Sequence, residues 1–293
     1  MSSNNQQQPS GLAANAGRRP LWAWIAGAAL LCSACTDRPP ELAAADYTRL
    51  AASPRCLPGE RAGRPGATDD LHTARKIRYS VRTPSNYDAA VAHPLLMVYA
   101  PAGSSRFKSE RFAGLTREAT AAGFVVAYAD ARRLSIDVIL ELGAIPRSVA
   151  NEWCIDEQRI FLTGHSDGGT VSNALEFLDR TRDLPAAIAP SAAGIRGKDL
   201  ESYTCPARPL PVMVMHSADD SLFKGYGAEA AAWWAKCNRC DAERGPELKN
   251  GCAAYSGCAA GATTLYCEGR GPHGNWPGLN QVMLDFFLRA ARP

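Results

Sequence analysis

Hydrophobic positions along this chain change period again and again, and the changes predict alternating strands and helices. Lys76-Ile77-Arg78-Tyr79-Ser80-Val81 alternates and predicts an early strand. Pro94 to Tyr99 is an unbroken apolar run, the mark of a strand buried on both faces. The segment Ala100-Pro101-Ala102-Gly103-Ser104-Ser105 breaks that run as a loop. Helical spacing returns from about Glu110 to Ala122, Gly123 ends it, and Phe124-Val125-Val126-Ala127-Tyr128 predicts a second buried strand. A helix from about Ile136 to Trp153 should break or kink at Pro146. Arg159 to Thr163 predicts a strand, and about Thr170 to Arg180 a helix. Ala186–Pro190 and Pro211–Met215 predict two more buried strands, and about Tyr226 to Ala235 a helix. Thr263–Cys267 is the last expected strand and Gln281–Ala290 the last helix. Such alternation predicts an α/β architecture, a mostly parallel, doubly wound sheet with helices on both faces.

The start of the chain follows another pattern. Residues 1–17 are small and polar, Arg18 and Arg19 add positive charge, and Leu21 to Leu31 is an apolar run of signal-peptide length. Residues 1–34 are therefore expected to be an export signal. Ser33 and Ala34 suit a signal peptidase. Cleavage before Cys35 would leave that cysteine free for acylation as a lipid anchor, and plain secretion after Ala34 is the alternative. Residues 35–70, rich in Pro, Gly, Ala and charge, read as a tether and irregular lead-in to a folded domain over 71–293.

Charge adds little. The formal net charge of +3 carries no basic run and gives no argument for nucleic acid. Cysteine is more informative. Of ten, removing Cys32 with the signal and committing Cys35 to lipid leaves Cys56, Cys154, Cys205, Cys237, Cys240, Cys252, Cys258 and Cys267. That even set suits a disulfide-bonded exported domain. Cys237-x-x-Cys240 could be a redox pair or half of a zinc site. A disulfide-stapled loop before the last strand fits better, because Cys252, Cys258 and Cys267 follow closely in a Gly/Ala-rich stretch.

The chemistry concentrates at Gly164-His165-Ser166-Asp167-Gly168-Gly169, between a buried strand and a helix. Gly-x-Ser-x-Gly in that setting is a nucleophile elbow, the mark of the α/β-hydrolase fold. The turn must be sharp enough to strain the Ser166 backbone and expose its Oγ, and a Cβ at Gly164 or Gly168 would collide with its neighbours. The Asp167 N–H then lies at a helix N-terminus, where an oxyanion is favoured.

In this fold an acid and then a histidine follow the serine along the chain. Asp219 and Asp220 both lie just after the Pro211–Met215 strand; in related hydrolases the acid usually sits four residues after the histidine that closes the strand, which implies Asp220, with Asp219 the fallback. Of the five histidines only His273 lies beyond them, in a Gly-rich loop after the last strand. His216 closes a strand and reads as a structural hydrogen-bonder, and His165 occupies a variable position of the motif. Ser166 would then attack an ester carbonyl, His273 serve as general base and Asp220 fix its tautomer. The second oxyanion donor is expected from the loop after the Leu95–Tyr99 strand, with the Ala102 N–H the candidate, since Pro101 has none.

At these residues the chain resembles the bacterial and fungal esterases grouped as polyhydroxybutyrate depolymerases and feruloyl esterases. The resemblance spans about residues 75–290. It rests on Arg159 to Gly169, on His216 to Asp220, on Tyr255-Ser256-Gly257-Cys258, on Cys240 after Trp233-Trp234, and on His273-Gly274-Asn275-Trp276-Pro277-Gly278. The last is similar to the family's His-x-Trp-Pro-Gly with one residue more. The resemblance implies disulfides Cys240–Cys258 and Cys154–Cys205. It also implies an ester substrate: hydroxyalkanoate oligomers, or feruloyl or acetyl groups on plant polysaccharide. Trp276 could stack on such a substrate or simply pack its loop. Ala100-Pro101 stand where the family usually has His-Gly, and the insertion after Tyr128 is shortened to Asp130-Ala131-Arg132-Arg133. Fold and reaction class are therefore expected to carry over better than substrate. No metal or organic cofactor is needed for this chemistry. Two other readings are a serine peptidase on the same fold, for which the chain has no length to spare for a cap domain, and a non-catalytic envelope lipoprotein that keeps the fold.

Overall fold

Among the described residues, nine strands pair into one sheet. In chain order they are β1 (Ala67–His72), β2 (Arg78–Arg82), β3 (His93–Tyr99), β4 (Val125–Ala129), β5 (Ile155–His165), β6 (Ala187–Ser191), β7 (Val212–Ser217), β8 (Cys252–Tyr255) and β9 (Thr264–Gly269). Across the sheet the order is β1-β2-β4-β3-β5-β6-β7-β9-β8. The run from β4 to β9 is parallel, while β1, β2 and β8 pair antiparallel with their neighbours. This arrangement comes from a computed structural model that describes residues 41–290. The expected export signal and the anchor at Cys35 lie outside the described residues.

The apolar run of β3 shows how sequence becomes two layers. Successive strand side chains point to opposite faces. Leu95, Met97 and Tyr99 enter one core, Leu96 and Val98 the other. The first core is closed by α3 (Ile136–Leu142), α4 (Ile145–Glu152), α5 (Asp167–Ala174), α6 (Gly197–Leu200) and α7 (Tyr226–Cys237). The second is closed by α1 (Arg106–Ala113), α2 (Thr116–Ala121) and α8 (Asn280–Arg289).

Several boundaries differ from expectation for local reasons. The single helix expected over about 110–122 is two, because Gly114 takes a left-handed φ of 60° and ends α1. The break expected near Pro146 falls between α3 and α4, with the proline in the first turn of α4, where its missing N–H costs nothing. The helix expected to reach Arg180 ends at Ala174, and the Thr181 hydroxyl donates to the Leu175 carbonyl at 2.8 Å.

The lead-in over 35–70 proves anchored over its described part. Leu50 is buried, and the boundary expected at 70/71 falls inside β1. Polar Ala67-Thr68-Asp69-Asp70 looks unlike a strand, yet a register shift there turns both acids toward buried arginines. Asp69 pairs with Arg82 at 2.9 Å and Asp70 with Arg106 at 2.6 Å. Arg82 in turn holds Glu110 of α1 through two hydrogen bonds of 2.8 Å.

The eight cysteines of the even set all pair, as Cys56–Cys154, Cys205–Cys237, Cys240–Cys258 and Cys252–Cys267. The expected Cys240–Cys258 bridge is present. The expected Cys154–Cys205 bridge is not. Cys154 opens β5 beside the lead-in, where the Cys56 amide donates to Ala90 and the His93 amide to Cys154 itself. Cys205 instead meets the end of α7. The two cysteines of Cys237-x-x-Cys240 thus face different partners. The stapled stretch before β9 contains β8, set in register by pairing Cys252 with Cys267.

Candidate active site

Ser166 sits at the carboxyl end of β5 with φ 56° and ψ −118°, outside the regions an L-residue prefers. Such a backbone costs about 1–3 kcal/mol and persists only where its surroundings enforce it. Here they are glycines under close contact. A Cβ on Gly164 would stand 2.6 Å from the Tyr99 carbonyl oxygen, and one on Gly169 2.5 Å from that of Ser191. A Cβ on Gly168 would fall on the Tyr99 carbonyl itself. The elbow is therefore wedged between the ends of β3 and β6, and the Ser166 amide donates to the Ser191 carbonyl at 3.0 Å.

The structure brings Ser166, His273 and Asp220 together. His273 Nε2 lies 2.9 Å from Ser166 Oγ, and His273 Nδ1 lies 2.8 Å from Asp220 Oδ2. Asp220 is buried, and its other oxygen accepts the amides of Leu222 and Phe223, each at 2.9 Å. Burial works to raise its pKa, but the bonds from His273 and the Phe223 amide outweigh that and hold it below the usual carboxylate range. Asp219, the fallback, is exposed and turns away; its carboxylate accepts the Gly271 amide at 3.2 Å.

The remaining candidates are placed as follows. Asp167 opens α5, and its half-buried carboxyl is pushed up by burial. Ala102 lies in the exposed turn after β3, directly beyond the Tyr99-Ala100 carbonyls that crowd Gly168. Neither amide donates to a protein acceptor among the described residues. That turn is fixed from below. The Ala131 amide donates to Ser104, the Arg106 amide donates to Asp130 Oδ1 at 2.8 Å, and the Arg106 guanidinium reaches Ser80 at 2.9 Å. Trp276 donates its Nε1–H to Asn280 Oδ1 at 2.6 Å and meets Phe112 edge-on. Its ring is partly exposed and its centroid lies 6.2 Å from that of His165, next to Ser166.

Three residues that the chain-order argument did not single out complete the surroundings. His165 is buried, with Nδ1 3.0 Å from Ser191 Oγ and Nε2 2.6 Å from the His273 carbonyl. Burial pushes its pKa down to about 4. Phe223 packs edge to face on the His273 ring, with centroids 4.8 Å apart. His216 donates from Nε2 to the Phe223 carbonyl at 2.9 Å, the structural role expected of it, and so steadies the turn that carries Asp220. His165 stands inside the elbow motif and His216 at the head of the His216–Asp220 segment, whereas Phe223 stands in neither, and His165 finds its partner 108 residues away.

No family model matches this chain. It is 25% identical over 244 residues to feruloyl esterase B of Piromyces equi, a match covering 73% of this chain and 45% of that one. The chain thus spans less than half the length of that curated relative. The acetyl xylan esterase of Aspergillus awamori superposes with a TM-score of 0.55 at 15% identity, over 77% of this chain and 99% of the other. Est1E of Butyrivibrio proteoclasticus gives 0.52 at 16%, over 77% and 98%. A thermostable esterase gives 0.52 at 18%, over 77% and 62%. The sheet order, the strained serine between β5 and α5 and these superpositions agree: the chain has the α/β-hydrolase fold, which it shares with these esterases and also, at a TM-score of 0.52 and 14% identity, with a dipeptidyl aminopeptidase.

Proposed function

We propose that this chain is a serine carboxylic ester hydrolase with Ser166, His273 and Asp220 as its catalytic triad. The observation that carries the reading is the continuous chain of two short hydrogen bonds, 2.9 Å and 2.8 Å, from the elbow serine through one imidazole to a buried carboxylate. Ser166 Oγ attacks the ester carbonyl while His273 Nε2 takes its proton. Asp220 keeps the hydrogen of the neutral ring on Nδ1, leaving Nε2 free to accept, and stabilises the imidazolium that forms. The amides of Asp167 and Ala102 receive the oxyanion, aided by the N-terminus of α5. His273 then returns the proton to the leaving alcohol. A water activated by the same ring releases the acid and restores Ser166.

The relatives support one substrate class over another. Feruloyl and acetyl xylan esterases favour an acyl group carried on polysaccharide over hydroxyalkanoate oligomers. Four disulfides favour an oxidising compartment and therefore export, by lipid anchoring at Cys35 or by free secretion. The test is hydrolysis of a short-chain nitrophenyl ester, followed by feruloyl, acetyl-xylan and hydroxybutyrate substrates. Turnover should vanish in Ser166→Ala with the melting temperature unchanged. Turnover that survives the substitution would refute the assignment.

A further inference from the structure

Ser166 stands at the carboxyl edge of the sheet, so the connections around it are those that leave the parallel strands at that edge. The β1–β2 turn rises there too, because β2 runs antiparallel to β4 with Tyr79 opposite Ala129. These connections are rich in cations. The turn over 73–77 carries Arg75 and Lys76, the segment after β4 Arg132 and Arg133, and the segment after β6 Arg196. The segments after β7 and β9 add Lys224 and Arg270.

Most nearby acids are engaged. Asp130 is buried and held by Arg78 and Arg106, and Asp220 belongs to the triad. Asp219 accepts the Gly271 amide but remains an exposed carboxylate, as does Glu268 beside Arg270, and Asp167 sits at the elbow itself. Arg75 is matched by Asp137 at 3.3 Å and Arg196 by Asp199 at 2.9 Å. Lys76, Arg132, Arg133, Lys224 and Arg270 remain. All five are exposed and have no carboxylate partner among the described residues. Arg132 donates only to the Lys76 carbonyl, at 2.9 Å, which keeps the two cations together.

Their placement is two-sided. Lys76, Arg132 and Arg133 lie at the β2 and β4 end, and Lys224 and Arg270 at the β7 and β9 end. β4 and β7 are each two strands from β5. At about 4.8 Å per strand, the two groups stand on the order of 20 Å apart with the nucleophile between them. One small anion cannot touch both, whereas a chain bearing an anion on successive units can. Cations on both flanks of a cleft, set among Asp219 and Glu268 at the β7 and β9 end, also draw such a chain there. A bilayer would call for a broad apolar face on the same rim, but among the described residues the large apolar side chains exposed in these connections, Ile136, Tyr203, Leu222 and Leu248, each come from a different segment.

We propose that this rim binds a polyanionic polysaccharide, one whose recurring carboxylates reach both cation groups, and that the ester presented to Ser166 is carried on that polymer. The part that concerns the ester rests on the hydrolase reading; the binding does not.

The experiment measures binding of the intact protein to polygalacturonate, to dextran and to phosphatidylglycerol vesicles, at low and high salt. It also compares kinetics on acetylated polygalacturonate and on nitrophenyl acetate. The triple variant Arg132→Ser/Arg133→Ser/Lys224→Ser touches none of the triad. Expected are binding to polygalacturonate over dextran, weakened about 10-fold by salt that screens surface charge, and a KM on the acetylated polymer raised about 10-fold in the variant. Turnover of nitrophenyl acetate and the melting temperature should not change. Equal binding to dextran, an unchanged KM in the variant, or a preference for vesicles would overturn the proposal. Salt-sensitive polymer binding by a protein that turns over neither ester would overturn the hydrolase reading and leave the rim in place.

Discussion

His165 Nε2 lies 2.6 Å from the backbone carbonyl oxygen of His273, and the other nitrogen of the same ring lies 3.0 Å from Ser191 Oγ. A carbonyl only accepts, so Nε2 carries the hydrogen and Nδ1 accepts from the Ser191 hydroxyl. The residue beside Ser166 thereby holds the loop that carries His273, the proposed general base. A lost hydrogen bond at a buried site costs about 1–3 kcal/mol, roughly 10- to 100-fold in a rate if the base loses its position. His165→Leu should lower kcat by that factor with KM nearly unchanged, and His165→Gln, which can still donate, should recover part of it. Steady-state kinetics on a nitrophenyl ester decide, and a full kcat in His165→Leu would remove the tether from the account.

The same ring sets an acid limit on stability. Its pKa in the fold is pushed down to about 4 by burial, against 6.5 for an open histidine. Above pH 6.5 the ring is neutral folded or unfolded and contributes no pH dependence. As pH falls from 6.5 toward 4, only the unfolded chain takes up the proton, so stability is lost. At pH 5 the loss from His165 alone is about 2 kcal/mol. His93 and His216, also lowered by burial, act in the same direction. Asp220, held below its ordinary pKa of 3.8, acts only at lower pH. Urea denaturation at pH 7 and pH 5 should show the drop, and His165→Gln should make it smaller. An equal drop in both proteins would mean that His165 is not the group responsible.

Two adjacent aspartates offer an internal control. Asp220 reaches His273 at 2.8 Å, whereas Asp219 reaches only the Gly271 amide. Asp220→Asn should lower kcat by about 10²–10⁴, because an amide in that place favours the wrong tautomer of the base. Asp219→Asn should change kcat by less than about 5-fold, since it weakens one exposed contact. Comparable losses in the two variants would be incompatible with this division of roles.

Cys56–Cys154 spans 98 residues and fastens the lead-in to the start of β5. Removing it by Cys56→Ser/Cys154→Ser frees a long loop in the unfolded chain and should destabilise the protein by about 2–5 kcal/mol. The site is built at the other end of β5, so kcat at 25 °C should be close to that of the parent. Denaturant midpoints together with activity separate the two effects. A stable variant that has lost its activity would contradict the division.

Much of this was legible where one local rule acted alone. The unbroken run of β3 and the glycines around Ser166 dictate their geometry without help from distant residues. Chain order alone brought His273 and an aspartate to the serine. Other features depend on partners far along the chain. β1 is a strand because Arg82 and Arg106 await Asp69 and Asp70, which no period reveals. Cysteine parity implied full pairing, but which sulfurs meet depends on how β5 and α7 pack, and Cys154 took Cys56 rather than Cys205. His165 filled a variable motif position, and nothing in its spacing pointed to the His273 loop.

The most direct test is fluorophosphonate labelling of the folded protein, with the modified residue located by mass spectrometry. A single adduct on Ser166, lost in His273→Ala while the melting temperature holds, is the predicted result. No adduct on folded protein, or labelling that is indifferent to His273, would contradict the claim that these residues form an activated nucleophile.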